Sequence, residues 1–233
     1  MFDRRKCLFI GHGAYDHTNF TEEDCQFVYG ITSDSIRKRL PENTKVFVTP
    51  NGVEHTMFDY IERSGELKNV GWCGAPNVPY KQAGWGVSIC RDADVNFIIS
   101  SSAPCENDFS KWGPLSYEEI RKWYSTIDIL VVTAQPEGGD SETGPLPPFE
   151  AIVSGIPAIG TPVGNFRHVP GPKFTTIEEG TAILRELKSD PERMKSLAKE
   201  QYDYVMANYT YKSFIHKWRE ALEYVHSLQT TSK

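Results

Sequence analysis

The chain has 233 residues, enough for one large domain or one domain with an appendage, and its 39% hydrophobic and 24% charged residues are ordinary for a globular protein. A formal net charge of −6 with no basic tract argues against a duplex nucleic-acid partner, while leaving room for a local basic pocket that holds phosphates. No run approaches the ~20 apolar residues of a membrane span, and the opening M-F-D-R-R-K-C-L-F-I-G-H-G is too short in apolar residues for a signal peptide.

Cys7, Cys25, Cys73, Cys90 and Cys105 are odd in number and contain no C-x-x-C. They read as reduced thiols of a cytoplasmic protein, with a virus- or phage-encoded origin in a host cell left open, and not as a disulfide or zinc framework.

The first predicted strand is Cys7–Ile10. Gly11-His12-Gly13-Ala14-Tyr15-Asp16 follows and begins like a dinucleotide-binding G-x-G-x-x-G, but Asp16 stands where the third glycine lets helix and strand pack closely. A plain strand-to-loop turn is the simpler reading; an NAD-type oxidoreductase is the sharper one. Phe27–Thr32 is a second strand, and Ser33-Asp34-Ser35 caps a short helix Ile36–Leu40 that Pro41 stops. Val46–Val48 is a third strand and leads to Asn51-Gly52, a turn dipeptide. Val70–Cys73 is the fourth; Gly74 opens its loop and Lys81 stands at the start of a helix, Gln82–Arg91.

Val95–Ser100 is the fifth strand. Ser116 and Glu119 form a capping box for a helix to Ser125, with Ile120, Trp123, Tyr124 and Ile127 at helical spacing on its apolar face. Ile129–Val132 is the sixth strand, Phe149–Val153 a short buried helix ended by Gly155, and Ile156–Thr161 the seventh strand. Thr176 and Glu179 cap another helix to about Leu187. Asp190-Pro191 opens the next helix, and Tyr211–Leu228 is the last, followed by a frayed tail, 229–233.

Strands and helices alternate, so the expected fold class is α/β, with a doubly wound, mostly parallel Rossmann-like sheet. Ligands of such sheets sit beyond the strand C-termini. The loops at Asn51-Gly52, Gly74–Lys81, Ser100–Ser102, Gln135–Gly144 and Gly160–Asn165 all follow strands and should share one rim.

The densest stretch is Glu137–Pro157, E-G-G-D-S-E-T-G-P-L-P-P-F-E-A-I-V-S-G-I-P. Glu142 and Glu150 flank an uncharged Gly/Pro loop between a strand and a helix. Strand, glycine loop and helix N-terminus form a device that holds phosphates on backbone N–H groups. Taken alone, the two acids could equally be a solvated loop carboxylate and a first-turn helix acid favoured by the dipole.

Four segments in order decide between these readings: V-T-P-N-G-V-E-x-x-x-F (Val48–Phe58), V-G-W-C-G-A-P…K (Val70–Lys81), L-S-Y-E-E-I-R-K-W-Y-S-T-I-D-I-L-V-V (Leu115–Val132) and E-T-G-P-L-P-P-F-E-A-I-V-S-G-I-P-A-I-G-T (Glu142–Thr161). The series resembles the donor-binding half of GT-B glycosyltransferases, in particular the retaining enzymes of glycosyltransferase family 4, whose Glu-x7-Glu signature Glu142 and Glu150 match. The resemblance runs from about Thr32 to Val225. It implies a donor half over 46–228, with 1–45 a short remnant of the acceptor side packed on it.

The resemblance also implies roles. Glu150 accepts hydrogen bonds from the ribose. Glu142 lies by the donor sugar. Gly144, Pro145 and Leu146 form the phosphate and sugar loop, where only Gly144 and Leu146 have an N–H to give. Lys81, with Gly74 before it, neutralises the diphosphate leaving group. Trp112 lies where the nucleobase is met, or packs. His12, in a polar cluster with Asp16 and His17, is a candidate on the acceptor side or in catalysis. The implied activity is transfer of a sugar from a nucleotide diphospho-sugar to a carbohydrate or other acceptor, with retention and without metal or other cofactor; a UDP-sugar is the favoured donor and a GDP-sugar the alternative.

Two features depart from the family. Ala75 follows Gly74 where an arginine is usual, leaving Arg167 or Lys111 as possible substitutes. The segment before the donor half is short for an acceptor domain. A homodimer or partner subunit could complete that side, and a non-catalytic nucleotide-sugar-binding subunit is the alternative function.

Overall fold

The computed structural model describes residues 8–11, 28–37, 40–104, 108–135 and 143–230. Its strands fall into two parallel sheets. The first, ordered β1-β2-β3, consists of β1 (Leu8–Gly11), β2 (Val28–Ile31) and β3 (Lys45–Val48). The second, ordered β5-β4-β6-β7, consists of β4 (Asn69–Trp72), β5 (Asn96–Ile99), β6 (Ile129–Val132) and β7 (Ala158–Gly160). Val28 pairs with Lys45 in the first sheet; Val70 pairs with Phe97 and Ile129, and Leu130 with Ala158, in the second.

The second sheet is apolar on both faces, as a parallel sheet covered by helices must be. Val70, Trp72, Ile129 and Val131 point to one face, against α2 (Ala83–Asp92) and α5 (Ile177–Ser189). Leu130 and Ala158 point to the other, against α3 (Tyr117–Tyr124), α4 (Pro147–Val153) and α6 (Pro191–Asn208). Gly71 is required on this second face: a Cβ there would lie 2.3 Å from Ile127 Cδ1.

Local signals set the helix ends. Ser116 accepts from the N–H of Glu119 at 3.3 Å and Glu119 returns the bond at 2.7 Å, a complete capping box. The box expected at Thr176 is closed differently. Thr176 accepts from Glu179, but Glu179 reaches one residue further back, to the N–H of Thr175 at 2.7 Å. α4 begins at Pro147 and not at Phe149, because Pro147 and Pro148 occupy the first turn, where a missing N–H costs nothing and the fixed φ suits the helix. Gly155 ends it in the left-handed region, φ +82°, where a Cβ would lie 2.3 Å from the carbonyl oxygen of Ile61.

The chain passes between the two sheets along paired segments. Val53 donates to the Tyr209 carbonyl at 2.8 Å and accepts from the Tyr211 N–H at 3.0 Å. From there α7 (Tyr211–Thr230) returns to the first sheet, where Trp218 lies 2.9 Å from the position of a Cβ on Gly30 and Tyr224 packs on Phe47. Among the described residues, no helix is long and apolar enough to cross a membrane.

Candidate functional site

The order β5-β4-β6-β7 changes direction between β4 and β6, because the chain moves outward from β4 to β5 and then back past β4 to β6. Such a switch point opens a crevice beyond the strand C-termini. The two loops at this crevice are the ones that carry Gly74–Lys81 and lead into Gly144–Leu146.

The loops are tied together by the end of β6. The Trp72 indole N–H donates to Thr133 Oγ1 at 2.8 Å, and the Thr133 hydroxyl donates to the Lys81 carbonyl at 2.8 Å. The Gln135 N–H donates to the Tyr80 carbonyl at 2.9 Å. Residues Pro79–Lys81 form one turn of 3-10 helix, and Gln82 takes a left-handed conformation, φ 49°, that turns the chain into α2. A cavity of about 30 Å³ is lined by Lys81, Cys73 and Thr133 together with Pro145, Pro147 and Pro148. Lys81 and the Gly/Pro loop, distant in sequence, therefore share one cavity. Gly74 sits beside this wall, with a hypothetical Cβ 3.0 Å from the Trp72 ring.

Gly144 is bracketed by two asparagines. Asn51 Nδ2 donates to the Gly144 carbonyl at 3.1 Å. The Asn165 N–H donates to the Thr143 carbonyl at 3.3 Å, while its side-chain amide donates to the Thr32 carbonyl at 2.6 Å. Ends of both sheets thus meet at this loop. Among the described residues, the N–H groups of Gly144 and Leu146 have no hydrogen-bond partner. The first turn of α4 offers none, since Pro147 and Pro148 lack an N–H and those of Phe149 and Glu150 bond to the Leu146 carbonyl at 2.9 and 3.0 Å. The available backbone donors therefore lie just before α4, at Gly144 and Leu146.

Glu150 is half-buried. Its Oε2 accepts from the Tyr124 hydroxyl at 2.9 Å; the Pro147 carbonyl is a second, longer acceptor of the same hydroxyl at 3.2 Å. Burial pushes the Glu150 carboxyl above the ordinary carboxylate range, and the Tyr124 hydrogen bond pulls it partway back. Cys73 completes the cluster. Burial pushes its thiol up to about 11, with Ser100 and Lys81 opposing the rise and the Glu150 charge adding to it.

Glu142 and His12 lie outside the described residues, as do Asp16 and His17. Trp112 is half-buried and packs with Phe109 against the core on the α2 side. Lys111 pairs with Asp108 at 3.3 Å, and Arg167 turns back to donate to the Gly164 carbonyl at 3.0 Å. Neither lines the cavity beside Lys81. Sequence reasoning placed Tyr124 only on an apolar helix face and read Asn51 only as a turn residue. Its eight-residue helix carries Tyr124 to Glu150, a pairing signalled in sequence by nothing more than a phenol on a buried face. Among the described residues, no group of three or more His, Cys, Asp or Glu side chains is placed to hold a metal ion.

No protein-family model matches the chain, and no curated protein matches it in sequence. Solved structures match it in shape. HepE from Anabaena, in complex with UDP and glucose, superposes with a TM-score of 0.69 at 14% identity over 92% of this chain and 71% of HepE. Sucrose-phosphate synthase from Thermosynechococcus elongatus superposes at 0.65 with 15% identity over 97% of this chain and 68% of the synthase. WaaG, a glycosyltransferase involved in lipopolysaccharide biosynthesis, gives 0.59 at 13% identity over 83% of this chain and 61% of WaaG. The fold is that of the Rossmann-like GT-B glycosyltransferases, carried over most of the chain.

Proposed function

We propose that this chain transfers a sugar from a nucleotide diphospho-sugar, a UDP-sugar by preference, to an acceptor. One observation carries the reading: beside the switch point of a GT-B-type sheet, Lys81 lines one small cavity with Pro145, Pro147 and Pro148 of the Gly/Pro loop, and Cys73 in its wall feels the charges of both Lys81 and Glu150. In this reading the two N–H groups and the Lys81 ammonium bind the diphosphate, and Glu150 accepts from the ribose hydroxyls.

The chemistry needs those groups. Breaking the bond between the anomeric carbon and the β-phosphate leaves negative charge on the phosphate oxygen, which a lysine and backbone donors stabilise without further ions. The sugar gains oxocarbenium character, and the departing phosphate, with Glu142 beside the sugar, stabilises it. In this reading the acceptor hydroxyl bonds to the anomeric carbon on the face the leaving group departs from and gives its proton to the departing phosphate oxygen, which yields retention, with Lys81 in the role a metal ion would otherwise take. HepE, which shares the fold, was captured with UDP and glucose, and this supports UDP-glucose as the first donor to try.

A second reading is favoured by the small first sheet, with three short strands among the described residues. In that reading the chain binds the nucleotide-sugar and a partner subunit or second copy brings the acceptor. Incubation with UDP-glucose and a panel of sugar and lipid-linked acceptors, read by mass spectrometry, separates the two. Transfer or donor hydrolysis supports the enzyme. Tight donor binding with neither, restored by a partner, supports the subunit.

A further inference from the structure

We infer that Tyr124 is a positioning residue for the nucleotide: its phenol fixes Glu150 so that a single carboxylate oxygen, Oε1, is left to meet the ligand. The inference rests on the reading of Glu150 as the ribose acceptor and adds the residue that sets its geometry.

A phenol has one proton. The shorter contact of the Tyr124 hydroxyl is Glu150 Oε2 at 2.9 Å, with the Pro147 carbonyl farther off at 3.2 Å. Glu150 Oε1 has no partner among the described residues. Tyr124 cannot swing away, because its ring is 1% exposed and is wedged edge-on by Phe58 and Trp123 at centroid distances of 5.9 and 5.1 Å. Its backbone is fixed as well. Arg63 donates to the Tyr124 carbonyl at 3.0 Å and to the Ser125 carbonyl at 3.3 Å, placing a cation at the C-terminus of α3 where the helix dipole favours it. An anchored donor therefore holds a side chain that would otherwise sample several rotamers, and that ordering is in place before the ligand arrives.

The same bond bears on charge. A ribose diol donates hydrogen bonds, so it needs Glu150 as an acceptor-only carboxylate. The titratable groups facing Glu150 are Tyr124 and Tyr117 from α3 and Cys73 at the end of β4. Burial raises the pKa of all three, so they stay neutral at ordinary pH. Among the described residues, Tyr124 is the one neighbour that donates to Glu150, and its bond favours the ionised form against burial.

Tyr124→Phe keeps the ring and removes one hydroxyl. Two measurements test the inference. The first is a carbon NMR titration of the Glu150 carboxyl in the free protein, assigned with Glu150→Gln. The second is UDP-glucose affinity against pH by calorimetry; the diphosphate of that probe is esterified at both ends and does not itself titrate in this range. Tyr124→Phe is expected to move the Glu150 titration to higher pH and to weaken UDP-glucose about tenfold at neutral pH, as for loss of a bond to a charged group. The low-pH fall in affinity should move the same way. If Tyr124→Phe lowers Tm but leaves both the titration and the pH limb in place, Tyr124 is packing alone and the inference is overturned. If the titration moves but the wild-type protein binds no UDP-glucose, the ribose reading of Glu150 fails and takes the positioning role with it.

Discussion

Asn51 donates its side-chain amide to the carbonyl of Gly144, 93 positions away in sequence, at 3.1 Å. The contact joins the turn after β3, the last strand of the first sheet, to the Gly/Pro loop of the second. It fixes the Gly144–Pro145 peptide, and a Cβ at 144 would stand 2.8 Å from Asn51 Nδ2 and displace that amide. Asn51→Ala and Gly144→Ala both loosen this lock. Each should lower Tm by roughly 1–6 °C, for loss of one hydrogen bond worth about 0.5–1.5 kcal/mol, and should weaken UDP-glucose binding by up to about tenfold through the loosened loop. Calorimetry and a thermal melt on each variant check both halves.

Thr133 ties together a buried donor, the Trp72 indole N–H, and a partly buried acceptor, the Lys81 carbonyl. Thr133→Val keeps the shape and deletes both bonds, leaving the buried indole N–H unsatisfied at a cost of about 1–3 kcal/mol. For a chain of this length that lowers Tm by roughly 2–12 °C. Thr133→Ser should recover most of the loss. Donor affinity should follow the same order, because the Lys81 turn hangs on this hydroxyl.

Glu150 should make stability depend on pH in a particular direction. Its folded pKa is raised by burial, so the folded state holds the proton more tightly than the unfolded chain. Its contribution is fully present below the unfolded value and is lost as pH rises through the folded one. Glu150→Gln removes this dependence. The Tm of the wild type relative to Glu150→Gln should therefore decline as pH rises through and above the ordinary carboxylate range, as followed by calorimetric melts in a pH series.

The two described cysteines should be slow to alkylate. Burial pushes Cys73 up to about 11 and Cys90 up to about 12, so neither carries appreciable thiolate at neutral pH. Brief iodoacetamide treatment at pH 7.5 followed by peptide mass spectrometry should find both unmodified in the native protein and both modified after denaturation.

Much of the frame is legible in the residues. Ser116-x-x-Glu119 starts α3 where expected, the run Ile129–Val132 is a strand end to end, and Gly155 stops α4 at a position only glycine fills comfortably. These signals are local, depending on residues a few positions apart. Strand pairing is not local, so nothing in Val28–Ile31 or Asn69–Trp72 says that they belong to different sheets. The same limit hides the site's supports. Tyr124 fits an apolar stripe perfectly well, and its hydroxyl finds Glu150 only once α3 and α4 share a face of the sheet. Asn51 needs both sheets in place before it can reach Gly144. Glu142 and His12 fall outside the described residues and stay sequence-based candidates.

The central claim is that a nucleotide diphospho-sugar binds at the switch point with Glu150 on its ribose. Calorimetric titration of the wild-type protein and Glu150→Ala with UDP-glucose, alongside GDP- and ADP-sugars and NAD, tests it most directly. The account predicts saturable binding of a nucleotide-sugar by the wild type, UDP-glucose foremost, and at least about a tenfold loss in Glu150→Ala, as for removing the acceptor of a charged hydrogen bond. Binding of NAD alone, or equal UDP-glucose affinity in the two proteins, would contradict it.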